Sequence, residues 1–121
     1  MNIEIQEIDS KHGLDLCDGD VDIYLSSLRL YVNNIPATLD KIRNVTEKTL
    51  SNYSVSVHGI KGMSDYVGAK EARATAKMLE DMSKSGDLNG VLAQNEQFIK
   101  YVQNIISNIK TWLDKNDTLK R

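Results

Sequence analysis

The sequence predicts an all-α fold, an antiparallel up-down-up-down four-helix bundle with a short capping helix at its N-terminal end. Three observations predict it. Apolar residues recur at threes and fours through four long stretches, which is the spacing of one buried helix face. The pairs Gly19-Asp20 and Gly86-Asp87 each set a helix-stopping glycine beside a helix-capping aspartate. No run of strand-like alternation of any length competes with these patterns.

Taken in order, residues 1–8 read as an extended or poorly ordered lead-in. Asp9-Ser10 offers an N-cap for a short helix over 11–17 that Asp18-Gly19 ends. Its expected job is to lid one end of the bundle with Ile8, Leu14 and Leu16. Asp20 then caps a long helix whose seam is Val21, Tyr24, Leu28, Tyr31, Ile35, Leu39 and Ile42. Pro36 interrupts that seam, so a kink is expected, with a split at Asn33-Asn34 as the alternative. Residues 44–48 form a polar connection, after which Thr49 or Ser51 can cap the next helix.

That second long helix turns Tyr53, Val57, Ile60, Ser64 and Val67 inward and stops at Gly68. Ala69, Ala72, Ala76, Leu79 and Met82 make the inner stripe of a third helix, small enough for close approach to a neighbour. The last helix runs over 88–113 with Val91, Asn95, Phe98, Val102, Ile105, Ile109 and Trp112 or Leu113 inward. A charged, frayed tail is expected over 114–121. The chain is thus read as a single domain, 1–121, with an ordered core over about 8–114.

Composition narrows the function classes. The chain has 121 residues, enough for one hydrophobic core and too few for two, with 40% hydrophobic residues and one proline. A net charge of −2 with no basic stripe argues against a nucleic-acid partner. Cys17 is the single cysteine, so neither a disulfide framework nor a cysteine metal site is available, and a reducing compartment fits. The first residues carry no basic, apolar leader, and no stretch approaches the ~18 apolar residues of a membrane span. A soluble, cytoplasmic domain without membrane contact is expected. With the seams used internally, a monomer is the default.

The stretch from Val57 to Ala69 holds the unusual chemistry. Residues three and four apart share a helix face, so His58 and Lys61 sit together, with Gly62 one turn from His58 and Asp65 one turn from Lys61. Gly59 and Gly62 each cost roughly 1 kcal/mol against alanine in a helix interior. Access to His58 is a reason to accept that cost.

At these residues the sequence resembles the histidine-containing phosphotransfer (HPt) domains of multistep two-component signalling. The family pattern, His-x-x-Lys-Gly-x-Ser/Ala followed after three residues by Gly-Ala or Gly-Leu, is met by His58, Lys61, Gly62, Ser64, Gly68 and Ala69. Ile8-Asp9, Gly13-Leu14, Gly19-Asp20, Tyr24-Leu25, Leu79-Glu80 and Gly86-Asp87 extend the likeness over residues 8–114. The wording around His58 is similar to the bacterial type, free-standing or within a hybrid sensor histidine kinase acting in cis.

The resemblance implies a carrier. His58 would accept a phosphoryl group from the aspartyl phosphate of a response-regulator receiver domain and relay it to another receiver. A neutral imidazole nitrogen is a competent nucleophile near neutral pH, and Lys61 would offset phosphoryl charge as a flexible point charge. Gly59, Gly62 and Asp65 would lie under the docked partner, with Ser64 and Gly68 in support. Ser64 is expected on the core side, capping the local backbone or hydrogen-bonding near the His58 ring. Magnesium would be supplied by the receiver, so no intrinsic cofactor or metal is expected. There is no nucleotide loop of the Gly-x-x-x-x-Gly-Lys kind, hence no ATP site and no enzyme turnover.

Met63, Asp65 and Tyr66 depart from the commoner pattern and bear on partner choice. Alone, His58 would be an ordinary helix histidine; its neighbours single it out. His12 has no such neighbours and reads as a surface residue. The mixed-sign run Lys70, Glu71, Arg73, Lys77, Glu80, Asp81 reads as a solvated face. The alternative function is a pseudo-carrier, a helical module binding a receiver or kinase without accepting phosphate. A metal-binding bundle lacks the Glu-x-x-His pairs it needs.

Overall fold

The computed structural model describes residues 2–116. Five helices follow one another: α1 (Ser10–Leu16), α2 (Val21–Lys41), α3 (Leu50–Val67), α4 (Lys70–Lys84) and α5 (Leu88–Asn116). Among the described residues there is no strand. The long helices close a ring in which α2 packs on α3, α3 on α4, α4 on α5 and α5 on α2, with α1 against α2 and α3. The expected bundle with its short N-terminal helix is therefore present. No helix among the described residues is long and apolar enough to cross a membrane.

The expected seams supply the core. Tyr24, Leu28, Tyr31, Ile35, Leu39 and Ile42 from α2 and its end are buried, as are Tyr53, Val57, Ile60 and Val67 from α3. Ala72, Ala76 and Leu79 of α4 meet Val91, Phe98, Val102, Ile105, Ile109 and Leu113 of α5. Leu113 takes the inward place, while Trp112 packs at the edge. Met82, expected on the inner stripe, is only partly buried. Buried polar groups need partners in low-dielectric surroundings, and several find them across helices. The Tyr53 phenol donates to Asn95 Oδ1 (2.8 Å), and Asn95 Nδ2 donates to the Ile42 carbonyl (2.8 Å), tying α3, α5 and the end of α2 together.

The caps follow the sequence. Asp9 accepts from the His12 amide, Asp20 from Ile23 and Asp87 from Gly90. Pro36 lies inside α2, which is one helix from end to end, so a split at Asn33-Asn34 does not occur. Thr49 stands at the N-cap of α3 but gives it no side-chain bond; its hydroxyl instead accepts from the Thr46 amide (2.8 Å).

Three expectations need correction. The lead-in is extended, as one of its two readings had it, but not poorly ordered, since it is built into the fold: Ile3 and Ile5 are buried while Asn2, Glu4 and Gln6 face out. A period of two hides its core contribution from a search for helical spacing. Asn108 Nδ2 donates to the Gln6 carbonyl and Tyr101 to Glu7, so this strap lies along α5. In α1, Leu16 is exposed and Gly13 is buried in its stead, because a Cβ there would strike the Tyr24 ring. Residues 114–116, expected in a frayed tail, continue α5; residues 117–121 lie outside the described residues.

Candidate functional site

Burial of Val57, Ile60, Ser64 and Val67 fixes the rotation of α3 and so turns His58 outward, with 63% of its side chain exposed. On the α4 side of α3, a carboxylate waits for it. His58 Nδ1 lies 2.8 Å from Glu80 Oε2, Lys61 Nζ lies 2.8 Å from Glu80 Oε1, and Lys84 Nζ lies 2.9 Å from Oε2. The Glu80 side chain is only 4% exposed, so its charge is held by these three groups rather than by water. Its pKa is lowered to about 2, chiefly by the hydrogen bond from Lys61, against the opposing effect of burial and with help from Lys84 and His58.

An ionised carboxylate only accepts hydrogen bonds. Nδ1 of His58 must therefore carry the proton it shares with Glu80, which leaves the lone pair of the neutral ring on Nε2, the nitrogen directed away from Glu80. Lys61 and Lys84 bring two ammonium groups to this one carboxylate. The cluster thus joins a fixed imidazole to an excess of local positive charge, a setting suited to an anion at the outer nitrogen.

The remaining predicted residues fall in different places. A Cβ at Gly59 or Gly62 would meet nothing within 4 Å, so neither glycine is demanded by packing, and both leave open surface beside His58. Ser64 is fully buried, and its Oγ pairs with the Tyr31 phenol across α2 at 2.9 Å, so its hydroxyl serves the core and not the His58 ring. Gly68 is structural: it takes a left-handed φ of 84°, and a Cβ there would collide with the Asp9 carbonyl. The Asp9 amide donates to the Gly68 carbonyl at 2.8 Å across the same contact.

Asp65 is committed elsewhere, its Oδ1 being 3.0 Å from His12 Nε2 and 3.4 Å from Arg73 Nε. His12 is thus a surface residue with a partner, binding α1 to α3. Among the described residues no group of three His, Cys, Asp or Glu side chains is arranged to hold a metal ion.

Sequence reasoning passed over Glu80 and Lys84. Glu80 is placed in a mixed-sign run that reads as solvated, yet it is buried. One signal was available: Ala72, Ala76 and Glu80 stand at i, i+4 and i+8, on the inner stripe.

The model of the Hpt domain family matches residues 26–112, most of the chain and all of the cluster just described. The chain belongs to the Hpt domain family. No curated protein and no solved structure matches it. The family assignment gives the chain a role connected with phosphotransfer in two-component signalling, in which Hpt domains work with receiver domains.

Proposed function

We propose that this Hpt domain is an active phosphoryl carrier, with His58 as the accepting residue and receiver domains as donor and acceptor. The observation that carries this reading is the Glu80 carboxylate on His58 Nδ1, which leaves Nε2 outward with its lone pair. Phosphoryl transfer asks a protein mainly for positioning and charge stabilisation, and this cluster supplies both.

In the forward step, Nε2 bonds to phosphorus as the bond from phosphorus to the aspartyl oxygen of the donor breaks. The aspartate leaves as a carboxylate on the donor. No proton need move, since Nδ1 keeps its own and the ring becomes cationic against Glu80. Lys61 and Lys84, within reach of the same carboxylate, face the phosphoryl oxygens. Transfer to the second receiver is the reverse step with a new aspartate. Magnesium belongs to the receiver's carboxylates; here Glu80 is saturated by lysines and the imidazole. Gly59 and Gly62 keep the approach to Nε2 open.

The decisive experiment is transfer from a phosphorylated receiver, with magnesium, to wild type and His58→Gln. Acid-labile, base-stable label on wild type alone is expected. Label on His58→Gln would move the acceptor elsewhere, and label on neither across a broad receiver panel would favour a binding module without phosphate chemistry.

A further inference from the structure

We propose that the cavity between α4 and α5, with Glu7 of the strap on its wall, binds a small organic ammonium compound, whose carbon body rests on Phe98, Met78 and Tyr101 and whose charge sits at Glu7 and Glu71. The cavity has a volume of about 420 Å³, a size typical of small-molecule sites. It shares no lining residue with the His58 cluster, so the proposal stands apart from the carrier reading.

Helical spacing builds the two long walls. On α4, Glu71, Thr75 and Met78 stand at i, i+4 and i+7; on α5, Gln94, Phe98 and Tyr101 repeat that spacing. Phe98 is buried and makes the floor, while Met78, 39% exposed, stands at the rim. Thr75 and Gln94 are half-buried and uncharged. The third wall comes from the turn that ends the strap, where the Ile8 amide donates to the Ile5 carbonyl. Glu7 holds that turn with a φ of 72°, a left-handed backbone that residues other than glycine, asparagine and aspartate seldom take. The turn brings its carboxylate to the Tyr101 phenol, which donates to Oε2 at 3.1 Å.

The two carboxylates are under-used. An ionised carboxylate offers about four acceptor sites, and the Tyr101 phenol fills one of those on Glu7. Among the described residues Glu71 has neither a hydrogen-bond nor an ion-pair partner. Both charges act on Tyr101, whose pKa is pushed up to about 12, first by burial and then by the bond to Glu7 and the charges of Glu7 and Glu71. The phenol therefore stays protonated near neutral pH, and an uncharged aromatic ring lies in the field of two anions.

That combination selects the ligand. Hard metal ions take six or more oxygens, and the described residues offer no third carboxylate, histidine or cysteine here. An anion would be repelled. A neutral apolar molecule would strip water from the carboxylates and return no hydrogen bond. An ammonium group on a carbon body satisfies both halves: it donates to Glu7 and Glu71, lies against the π face of Tyr101, and covers Phe98 and Met78.

The test follows backbone amide NMR signals of the whole chain during titration with benzylammonium, 1,4-diaminobutane and tetramethylammonium. Benzyl alcohol and benzoate serve as neutral and anionic controls. At least one of the three cations should give saturable shifts around Glu7, Glu71, Thr75, Gln94 and Tyr101 with a Kd below about 1 mM. The controls should bind at least about tenfold more weakly, as should Glu7→Gln and Glu71→Gln, each of which loses a charged acceptor. Glu7→Gln keeps an oxygen for the Tyr101 phenol; if the Ile3 and Ile5 signals nevertheless show that the strap is released, Glu71→Gln decides alone. No saturation by 10 mM with any of the three cations overturns the proposal, and so does equal binding of benzyl alcohol or an unchanged Kd in Glu71→Gln. Tighter binding of a lysine blocked at both backbone ends than of every free amine would assign the cavity to a partner's side chain and likewise overturn it.

Discussion

At the scale of single residues, the site depends on one buried carboxylate. Taking Glu80 out of water is costly, and only the two lysines and the imidazole offset that cost. Its pKa is depressed from 4.5 to about 2. Such a group adds stability that is present above its unfolded-state pKa and is lost as pH falls through the folded value. Glu80→Gln should therefore destabilise the bundle by about 1–3 kcal/mol at neutral pH, and the difference should shrink between pH 4.5 and 2. Urea melts of both proteins across that range check it; a difference that is constant with pH would mean the ion cluster contributes nothing. Lys61→Ala, which removes the largest of the three effects on Glu80, should slow receiver transfer while leaving helix content unchanged. An unaltered transfer rate would rule out the charge-offset role of Lys61. The proximity of His58 and Lys61 was legible because their spacing lies within one helix. Glu80 was not, because its role depends on how α4 is rotated against α3, and burial of a charged residue shows only once its partners converge.

At the scale of elements, α3 and its C-terminal turn carry two kinds of glycine. Gly68 ends the helix with a left-handed backbone pressed on the Asp9 carbonyl. An alanine there meets both strain and collision, so Gly68→Ala should lose at least about 1–3 kcal/mol in a denaturant melt. Gly62 sits in the helix interior with open space around it, and Gly62→Ala should gain about 0.5–1 kcal/mol by helix propensity. Opposite signs from two glycines six residues apart would separate a glycine kept for the fold from one tolerated for access. The helix boundaries themselves were readable, since capping aspartates and seam spacing act locally. The strap over residues 2–8 escaped notice for the converse reason. Its two buried isoleucines alternate like a strand, and the α5 groups that hydrogen-bond to it, Tyr101 and Asn108, lie nearly the whole chain away.

At the scale of the whole molecule, the strap and the His58 cluster occupy different parts of the bundle. The strap and α1 close the end where Gly68 turns, through Asp9, His12 and Asp65. His58 lies ten residues before Gly68 on α3, about 15 Å along the axis, and its cluster draws on the far end of α4. Among the described residues, the hydrogen bonds of the strap go to Ser10, Tyr101 and Asn108, and the ion pairs of the cluster stay within α3 and α4. Ile5→Ala removes a buried side chain from the strap and should cost about 2–4 kcal/mol, read as a lower denaturant midpoint with an unchanged slope. The transfer rate from a receiver, measured where the variant is still folded, should equal that of wild type. A rate that falls in proportion to lost stability would mean that the strap end and the His58 end move together, and that the bundle transmits strain along α3. Equality of rates would instead make the four-helix ring a rigid mount, on which the loose end can be weakened without shifting the distance between Nδ1 and Glu80.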